Sequence, residues 1–479
     1  MIFTSEVFLF LFLPVTLAFY FVTHLLEQNK YFHSFLTKIR LKDIVIIIFS
    51  LIFFSWNSLS GLLLLITYVL SVYLLAIILE ISDDKSIKKL IVFISISILV
   101  LFLTYVKYFD FLNIKKLLSI FNLKEFKIPF IGISFITFSA ISYIVDIYRG
   151  DVVKGNIIDC FLYLTFFPKI ISGPIVLWKN FQKQIKDRSI NLDSVNYAVT
   201  KIIIGFGKKA ILADQFALYL NNIDYQNIDS ITALSTLFIF PLQIYYDFAG
   251  YSDIAIGLSS LFGFNIEENF NYPYMSLSIS EFWRRWHISL GKWFTEYIYI
   301  PLGGNRKSKI ITIRNLAIVF LVTGIWHGAS KNYIIWECLN GIVVIIERLI
   351  RDKNFYKNLN NAFKRLITLS LVFVFWQFFR FESLRLLLKV WSIILGNLKF
   401  EYIDYTWKYY LDSQIISFII IGVILSFIPG TKKFKYYYNK VITNKLGLAL
   451  HNLLLIIIFV FSILYIVNSS YTPFLYFQF

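Results

Sequence analysis

The chain has 479 residues, of which 58% are hydrophobic, 19% are aromatic and only 16% are charged. Together with a mean hydropathy of +0.69, this composition excludes an ordinary soluble globular domain. The formal net charge of +17 is typical of basic loops that face anionic membrane lipids, so nucleic acid is not expected as a partner.

Apolar runs long enough to cross a membrane, about 17 to 25 residues each, recur along the chain. Because backbone groups in lipid need internal partners and the runs do not alternate, they predict helices rather than a barrel. The first run begins at Val7 without a preceding cationic segment or a following cleavage site, which favours a retained span over a signal peptide. About a dozen spans or slightly more are predicted, near residues 7–26, 44–57, 61–80, 90–106, 131–148, 157–178, 197–213, 232–262, 310–327, 332–350, 365–381, 413–429 and 449–468.

The spans predict an all-α polytopic integral membrane protein. No internal repeat, Pro-rich linker or large polar segment interrupts them, so a single membrane domain is predicted over residues 1–479. Strict alternation of the spans does not place all basic clusters on one side of the membrane, and some apolar runs are therefore predicted to be re-entrant or interfacial. The basic clusters lie at residues 30–42, 107–127, 179–186, 348–365 and 432–445.

Residues 241–341 differ from the rest because polar and charged residues stand among aromatic ones. Asp247 and Asp253 lie in YYDFAGYSD, where a carboxylate needs a partner or a water-filled cavity. Gly250 between them is a candidate helix break. The alternative is that both aspartates are structural, as helix caps or as partners of arginine inside the bundle.

Residues 278–299 mix aromatic, basic and polar side chains without a stretch apolar enough to span lipid. They predict a segment that lines a cavity, re-enters the membrane or lies as an amphipathic helix in the interface. On a helix, Glu281 and Arg285 can pair, and Arg284, three residues before His287, shares the face of that imidazole. Such a face can hold an anionic group beside the ring.

Two histidines stand in strongly apolar surroundings, His287 in FWRRWHISL and His327 in TGIWHG. An ionisable side chain in a membrane span is costly and marks a candidate site. Imidazole can also take and return a proton near neutral pH, as a general base must. Gly324 and Gly328 flank His327, so a substrate can approach its ring closely. The alternative is that one or both are core histidines bonded to a carbonyl.

Other motifs carry less information. The string IPLGGNRK, which contains Asn305, predicts a turn with a basic patch beside lipid headgroups and lacks the P-loop spacing. Neither HExxH nor GxSxG occurs, and no carboxylate stands at ligand spacing from the two histidines, so no metal site is predicted. Cys160 and Cys338 lie in apolar runs, which argues against a disulfide framework. A thiol role for Cys338 stays open.

Several longer strings mix rare residue types, and in their order they resemble the membrane-bound O-acyltransferase family, specifically its bacterial alginate O-acetylation branch. The strings are MIFTSEVFLFLFLPV, IGISFITFSAISYIVDIYRG, FFPKIISGPI, FGKKAILAD, YYDFAGYSDIAIGL, NFNYPYMSLSISEFWRRWHISLGKWF, YIYIPLGGNRK, LVTGIWHGAS and PFLYFQF. The resemblance runs nearly end to end. It implies a multi-helix bundle around a central cavity, with residues 241–341 as the core motif region.

The resemblance also implies a reaction, in which an acyl group passes from a thioester donor, acetyl-CoA or an acyl carrier, to a hydroxyl without a bound cofactor. His327 matches the histidine held to be catalytic in that family, and His287 matches the second recurring histidine. The other candidate substrate-binding or supporting residues are Asp247, Asp253, Arg284, Arg285, Trp326 and Asn305.

Partners and location follow from the same resemblance. Proteins of this branch work with a separate SGNH-type extracytoplasmic protein of esterase fold, which completes transfer onto a polysaccharide. The implied location is the bacterial cytoplasmic (inner) membrane. Two positions depart from the family pattern: Asn340 stands where relatives often carry a histidine, and Lys169 stands where many carry glutamine.

The predicted chemistry has neutral His327 accept the proton of the acceptor hydroxyl, with His287 nearby and Asp247 or Asp253 fixing the tautomer. Three function classes stay open. The first is transfer of an acyl group, with acetyl expected, to a cell-surface polysaccharide. The second is D-alanyl or other acyl transfer to teichoic acid, lipid or protein. The third is a transporter in which the histidines relay protons, and pseudo-symmetric halves, which would favour it, are not evident.

Overall fold

The computed structural model describes residues 1–29, 39–109, 111–113, 130–328, 330–381, 383–396, 403 and 405–468. These residues form helices and turns and no strand, which confirms the predicted all-α class. The closing string PFLYFQF and much of the basic clusters at 30–42 and 107–127 lie outside the described residues. The chain divides into two compact units, Met1–Ile202 with Tyr251–Glu267, and Ile203–Gly250 with Glu268–Phe479. The single domain over residues 1–479 stays a prediction.

The described residues of the first unit are mainly helical. A π-helical turn, Phe8–Phe12, leads into the first helix of the unit. Its helices are α1 (Leu13–Gln28), α2 (Leu41–Ser55), α3 (Leu59–Ile81), α4 (Lys85–Tyr108), α5 (Ile133–Arg149), α6 (Ile157–Thr165), α7 (Phe167–Ile170), α8 (Trp178–Asp187), most of α9 (Leu192–Phe206) and the C-terminal part of α11 (Ser230–Leu261).

Side chains that accept hydrogen bonds from the first backbone N–H groups begin several of these helices. Ser58 caps α3 and Asp84 caps α4, and Asn156 forms a capping box with Asp159 at the start of α6. Each cap pairs backbone donors that the first helical turn cannot satisfy. Polar residues therefore mark helix starts even in a strongly apolar chain.

The single span predicted at 157–178 is wrong. Helix α6 ends where Phe166 leaves the helical region with φ −54° and ψ 102°, and Pro168 opens the short helix α7. Proline cannot donate a backbone hydrogen bond, so it is tolerated in the first turn of a helix and ends or kinks a helix that would run through it. The apolar run is buried but is not one helix, because composition alone does not register the break.

The second unit holds the last residues of α9, all of α10 (Asp214–Asn221), the N-terminal part of α11 and all later helices. A π-helical segment, Gly207–Ala213, follows α9, and the segment from 278 to 299 contains two short helices and a further π-helical turn. The α-helices are α10 (Asp214–Asn221), α12 (Ile279–Arg285), α13 (Ile288–Phe294), α14 (Lys309–His327), α15 (Lys331–Ile350), α16 (Asn354–Lys357), α17 (Asn361–Arg380), α18 (Leu384–Ile394), α19 (Trp407–Tyr410), α20 (Ser413–Phe427), α21 (Lys432–Ile442) and α22 (Lys445–Asn468).

Eight helical stretches among the described residues are long and apolar enough to cross a membrane, fewer than the dozen predicted. The eight are Phe8–Glu27, Leu59–Ile81, Lys85–Tyr108, Ser230–Leu261, Lys309–His327, Asn361–Arg380, Ser413–Gly430 and Lys445–Asn468. Their surfaces fit lipid: on α22, Leu453, Ile456 and Leu464 are each at least half exposed. Exposed aliphatic side chains along a continuous helix are what a hydrocarbon environment requires.

Candidate active site

Helices α14 and α15 pack against each other and bring the TGIWHG string next to a carboxylate. Gly324 makes the close approach possible, since a Cβ atom there would lie 3.1 Å from both Glu337 Cβ and Ile334 Cα. Contacts this short are tighter than most Cβ contacts, so a side chain at position 324 would push α15 away from α14. His327, the last residue of α14, is held in this junction.

His327 is buried, with 2% of its surface exposed. Its Nε2 atom lies 3.4 Å from Oε1 of Glu337. Aromatic rings surround the imidazole: the centroid distances are 4.7 Å to Trp326, 5.1 Å to Trp336 and 5.9 Å to Phe379. The structure therefore places the predicted base in an apolar box that contains one carboxylate, and Trp326 lies beside it as the sequence predicts.

Glu337 is a site residue that the sequence analysis missed. It is 0% exposed, and no described residue donates a hydrogen bond to either of its carboxylate oxygens. A glutamate in the middle of IIWECLNGIVV is as unusual in an apolar helix as the two histidines are. That signal could have found it. Cys338, next in sequence, is half-buried.

His287 lies at a break in the chain rather than on a helix. Helix α12 ends at Arg285, Trp286 is extended, and His287 takes the left-handed conformation, with φ 45° and ψ 52°, before α13 begins. The predicted continuous helix, with Arg284 on the face of His287, is wrong for this reason. Arg284 is exposed, whereas Arg285 pairs with Glu281 at 2.8 Å as predicted.

Asn269, also missed by the sequence analysis, anchors His287. Its Oδ1 atom lies 3.3 Å from Nδ1 of the imidazole and accepts hydrogen bonds from the backbone N–H and the hydroxyl of Ser289 at 3.1 and 2.9 Å. The ring packs edge-on against Phe248 at 4.7 Å. Because the acceptor fixes a proton on Nδ1, the Nε2 atom carries the lone pair.

The pKa of His287 is lowered to about 3 by burial of the ring. Removing an imidazolium from water is costly, so the neutral form is favoured at every physiological pH. A left-handed conformation in a residue other than glycine costs of the order of 1 to 3 kcal/mol, and such strain clusters at functional sites. His287 therefore has a neutral, hydrogen-bonded side chain on a strained backbone.

Helix α15 also holds α12 in place. The Glu347 carboxylate accepts hydrogen bonds from the backbone N–H groups of Ile279 and Ser280 at 2.6 and 2.8 Å, and from the Ser280 hydroxyl at 2.7 Å. A carboxylate at a helix N-terminus pairs its free donors and complements its dipole. Trp283 donates to Oδ1 of the buried Asn340 at 3.2 Å. The asparagine at this position thus contacts the FWRRW string itself.

A chain of aromatic rings connects the surroundings of the two histidines within the second unit. Trp336, which packs against His327, stacks on Trp376 at 5.0 Å. Trp376 in turn lies 4.8 Å from Trp286, the neighbour of His287 in sequence. The structure therefore brings the two predicted histidines into one aromatic core, while the central cavity stays a prediction.

Asp247 belongs to a different group of buried charges, which we call the lysine cluster: Lys209, Asp214 and Asp247. The Lys209 Nζ atom lies 2.6 Å from Asp214 Oδ1 and 2.7 Å from Asp247 Oδ1. All three residues are buried, with at most 7% of their surface exposed. The Asp247 carboxylate therefore pairs with a lysine, and the carboxylate placed against His327 is Glu337.

Gly250 does not break the helix, because α11 is continuous from Ser230 to Leu261. It permits close packing instead: a Cβ atom there would lie 2.8 Å from the Gly205 carbonyl oxygen and 3.0 Å from the Lys209 backbone nitrogen. The glycine thus lets α11 approach the π-helical segment closely enough for the lysine cluster to form.

Asp253 lies in the first unit, where it pairs with Lys201 at 3.0 Å. Its partner is a lysine rather than the arginine that the structural alternative named. Asn305, the last candidate, is exposed in the loop that follows Pro301. That loop is held by Asn315, whose amide donates to the Gly304 carbonyl at 3.0 Å.

Fold and site together define a multi-pass membrane protein with buried histidines in an aromatic core. The model of the membrane-bound O-acyltransferase family matches residues 28–391, and the chain belongs to this family. It is a membrane O-acyltransferase.

Similar proteins come from several bacteria. A "Probable alginate O-acetylase AlgI" from Pseudomonas putida is 34% identical, with 100% of both chains covered. A "Peptidoglycan O-acetyltransferase" from Helicobacter pylori is 30% identical over 83% of this chain and 80% of its own length. A "Teichoic acid D-alanyltransferase" from Bacillus subtilis is 31% identical, but over only 42% of this chain and 53% of its own.

Proposed function

We propose that the chain moves an acyl group, with acetyl expected, from a thioester donor towards a hydroxyl of a cell-surface polysaccharide, with His327 as the general base. The observation that carries the proposal is the place of His327, buried at the end of α14 beside a carboxylate. Relatives named for acetyl transfer to alginate and peptidoglycan match at least 83% of the chain, which supports a polysaccharide acceptor.

The chemistry needs little more than an aligned acceptor and a base. A thioester is already activated, so the acceptor oxygen attacks its carbonyl carbon while the hydroxyl proton passes to the imidazole of His327. The carbon–sulfur bond then breaks, and the thiolate takes the proton back. His287, neutral and fixed by Asn269, can orient or polarise a reactant through its Nε2 lone pair. No bound cofactor takes part in this scheme, and acetyl-CoA or an acyl carrier serves as co-substrate.

Partner and location belong to the same proposal. Transfer onto a polysaccharide outside the cell requires a protein that receives the acyl group on that side, and an SGNH-type extracytoplasmic protein acting in trans fits this task. The membrane-crossing helices are expected in the cytoplasmic membrane, where thioester donors are available on one face. Arg284, exposed in the FWRRW string, is available for an anionic donor group or lipid headgroup.

The test compares surface glycans from wild-type cells and from a His327→Ala strain, after release of acyl groups by mild alkali. We expect loss of released acetate, since removal of a general base costs about 10²- to 10⁴-fold in rate. His451→Ala, a histidine outside the motif region, is the matched control. Unchanged acetate in a strain with normal amounts of inserted His327→Ala protein would refute the assignment of the base.

The identity of the released acid separates the candidate functions. Acetate supports polysaccharide O-acetylation, whereas D-alanine would favour the second candidate, for which the partial match to a teichoic acid D-alanyltransferase is the supporting observation. Proton flux through vesicles that carry the protein, without any acyl transfer, would favour the transporter.

A further inference from the structure

We propose that Glu337 is the positioning residue of His327: its carboxylate holds the Nε2 proton, so that Nδ1 is the atom that takes the proton of the acceptor. The inference rests on the proposed function, which names His327 as the base. It specifies which ring nitrogen of His327 accepts the proton and which residue determines that choice.

Geometry is the first argument. The Nε2 atom of His327 and Oε1 of Glu337 are 3.4 Å apart, with both side chains at most 2% exposed. The distance is set by backbone packing, because the missing side chain of Gly324 lets α15 approach α14 at the level of Glu337. Two helix backbones thus hold the pair, and neither side chain needs to reach for the other.

Charge is the second argument. A carboxylate removed from water costs several kcal/mol unless a cation or hydrogen-bond donors compensate it. Among the described residues no lysine or arginine pairs with Glu337, and apart from the His327 Nε2 contact at 3.4 Å no donor group is paired with its carboxylate. His327 is thus the group placed to compensate this carboxylate. A residue retained at such cost to stability is expected at a functional site.

Chemistry is the third argument. With its proton on Nε2 directed at Glu337, the neutral ring presents the Nδ1 lone pair to the acceptor. When Nδ1 takes the hydroxyl proton, the ring becomes a cation, and the adjacent carboxylate stabilises it in a medium of low dielectric constant. The acceptor oxygen bonds to the thioester carbon, the carbon–sulfur bond breaks, and the thiolate recovers the proton from Nδ1. Glu337 forms and breaks no bond in this scheme and acts on the reactants only through His327.

Four described groups around His327 illustrate the setting of this role. They are Trp326 on its own helix, Trp336 and Glu337 on α15, and Phe379 on α17. Of these four, only Glu337 titrates. The pKa of the imidazole should therefore respond to substitution of Glu337.

The experiment is solid-state ¹⁵N NMR of the full-length chain labelled at histidine and reconstituted in phosphatidylcholine bilayers. The chain has five histidines, and His327→Gln identifies the signal of His327. We expect one tautomer, protonated at Nε2, and a pKa that falls by at least one unit in Glu337→Gln, because an adjacent carboxylate favours the imidazolium. Glu337→Leu, which keeps the volume and removes all polarity, should lower the pKa in the same direction.

Asp352→Asn, which removes an exposed carboxylate just after α15, is the matched control and should change neither tautomer nor pKa. Glu337→Gln should melt no lower than wild type, since it removes a buried charge, yet should lower the O-acyl content of surface glycans at least about tenfold. An unchanged pKa and tautomer in both Glu337 variants would overturn the positioning role. Full O-acylation by His327→Ala would instead overturn the proposed function, whatever the NMR spectra show.

Discussion

The lysine cluster and the pair formed by His327 and Glu337 are both buried in the second unit, but their charges are compensated very differently. In the lysine cluster, one ammonium group contacts two carboxylates at 2.6 and 2.7 Å. In the histidine–glutamate pair, the contact is 3.4 Å, and in the part of the chain that the structure describes no lysine or arginine pairs with the carboxylate.

The difference distinguishes buried charges that stabilise the fold of a membrane protein from buried charges that take part in its reaction. A buried ion cluster with close contacts is explained by helix packing, and its loss should lower the stability of the folded protein. A buried acid and base with loose pairing gain little stability from each other, so packing alone does not explain them. Substitutions in the first should therefore reduce the amount of folded protein, whereas substitutions in the second should reduce activity.

The largest effect on stability is expected from Lys209→Met. The substitution leaves Asp214 and Asp247 buried without their cation, which should destabilise the protein by about 3 to 5 kcal/mol. Thermal melting of the detergent-solubilised protein, together with its abundance in membranes, measures this. The triple variant Lys209→Met, Asp214→Asn, Asp247→Asn should regain much of the loss. A single variant as stable as wild type would mean that the cluster is not a structural element.

Asn269→Ala should have the next largest effect, and it acts on the histidine region. It leaves three donors near His287 without their acceptor, namely the ring Nδ1–H and the N–H and hydroxyl of Ser289. The expected cost is about 1 to 3 kcal/mol, with reduced acyl transfer at the same time. Asn265→Ala, which removes an exposed amide, is the control for the melting temperature and the O-acyl assay. Equal behaviour of the two variants would show that His287 does not depend on this anchor.

Acid should destabilise the protein through His287. Below a pH of about 6.5 the unfolded chain binds a proton on this imidazole, whereas burial holds the pKa in the folded protein at about 3. The contribution of His287 to the free energy of unfolding should thus be constant well above pH 6.5 and fall as the pH is lowered from 6.5 towards 3. At pH 5 the expected loss from this group is about 2 kcal/mol.

The measurement compares wild type with His287→Gln, whose side chain cannot titrate, in unfolding titrations at pH 7.5 and pH 5. The wild type should lose more stability than the variant between the two pH values. His451→Gln should behave as wild type. An equal loss of stability in all three proteins would show that a group other than His287 causes the acid sensitivity.

The smallest effect is expected from Lys169→Gln in the first unit. The Lys169 ammonium is 4% exposed and contacts the Ser139 hydroxyl at 3.1 Å and the face of Tyr163 at 3.6 Å. Glutamine can keep the bond to Ser139 without a buried charge, so stability should change by less than about 1 kcal/mol in either direction. Lys209→Gln, which strands two carboxylates, is the contrasting variant in the same melting assay. Similar losses in both would mean that the cation–aromatic contact of Lys169 is worth as much as an ion cluster.

The helical class and most helix positions could be predicted because they depend on local properties. Long apolar runs determine that the backbone must satisfy its own hydrogen bonds, and this requires helices. The run at 157–178 shows the limit: its composition is that of a span, but Pro168 and Phe166 divide it. The same limit explains the segment near His287, where the helix that sequence spacing suggested is interrupted by a left-handed residue.

The residues of the candidate site were predicted unevenly. His287 and His327 stand out in sequence because ionisable groups are rare in apolar surroundings. Their partners do not stand out equally: Asn269 is 18 residues from His287, and Glu337 is on the helix after His327. Asp247 and Asp253 were correctly expected to need partners, but the lysines that pair with them lie on other parts of the chain.

The amino-acid sequence by itself therefore determined that this protein crosses a membrane as a set of helices and that two of its histidines are exceptional. Both follow from the free energy of placing apolar and ionisable groups in lipid, which depends on the residue and its immediate neighbours. Only the tertiary structure decided which carboxylate meets the base and which carboxylates meet lysine. Those pairings depend on how closely two helices approach, and a single glycine, Gly324 or Gly250, sets that distance in each case.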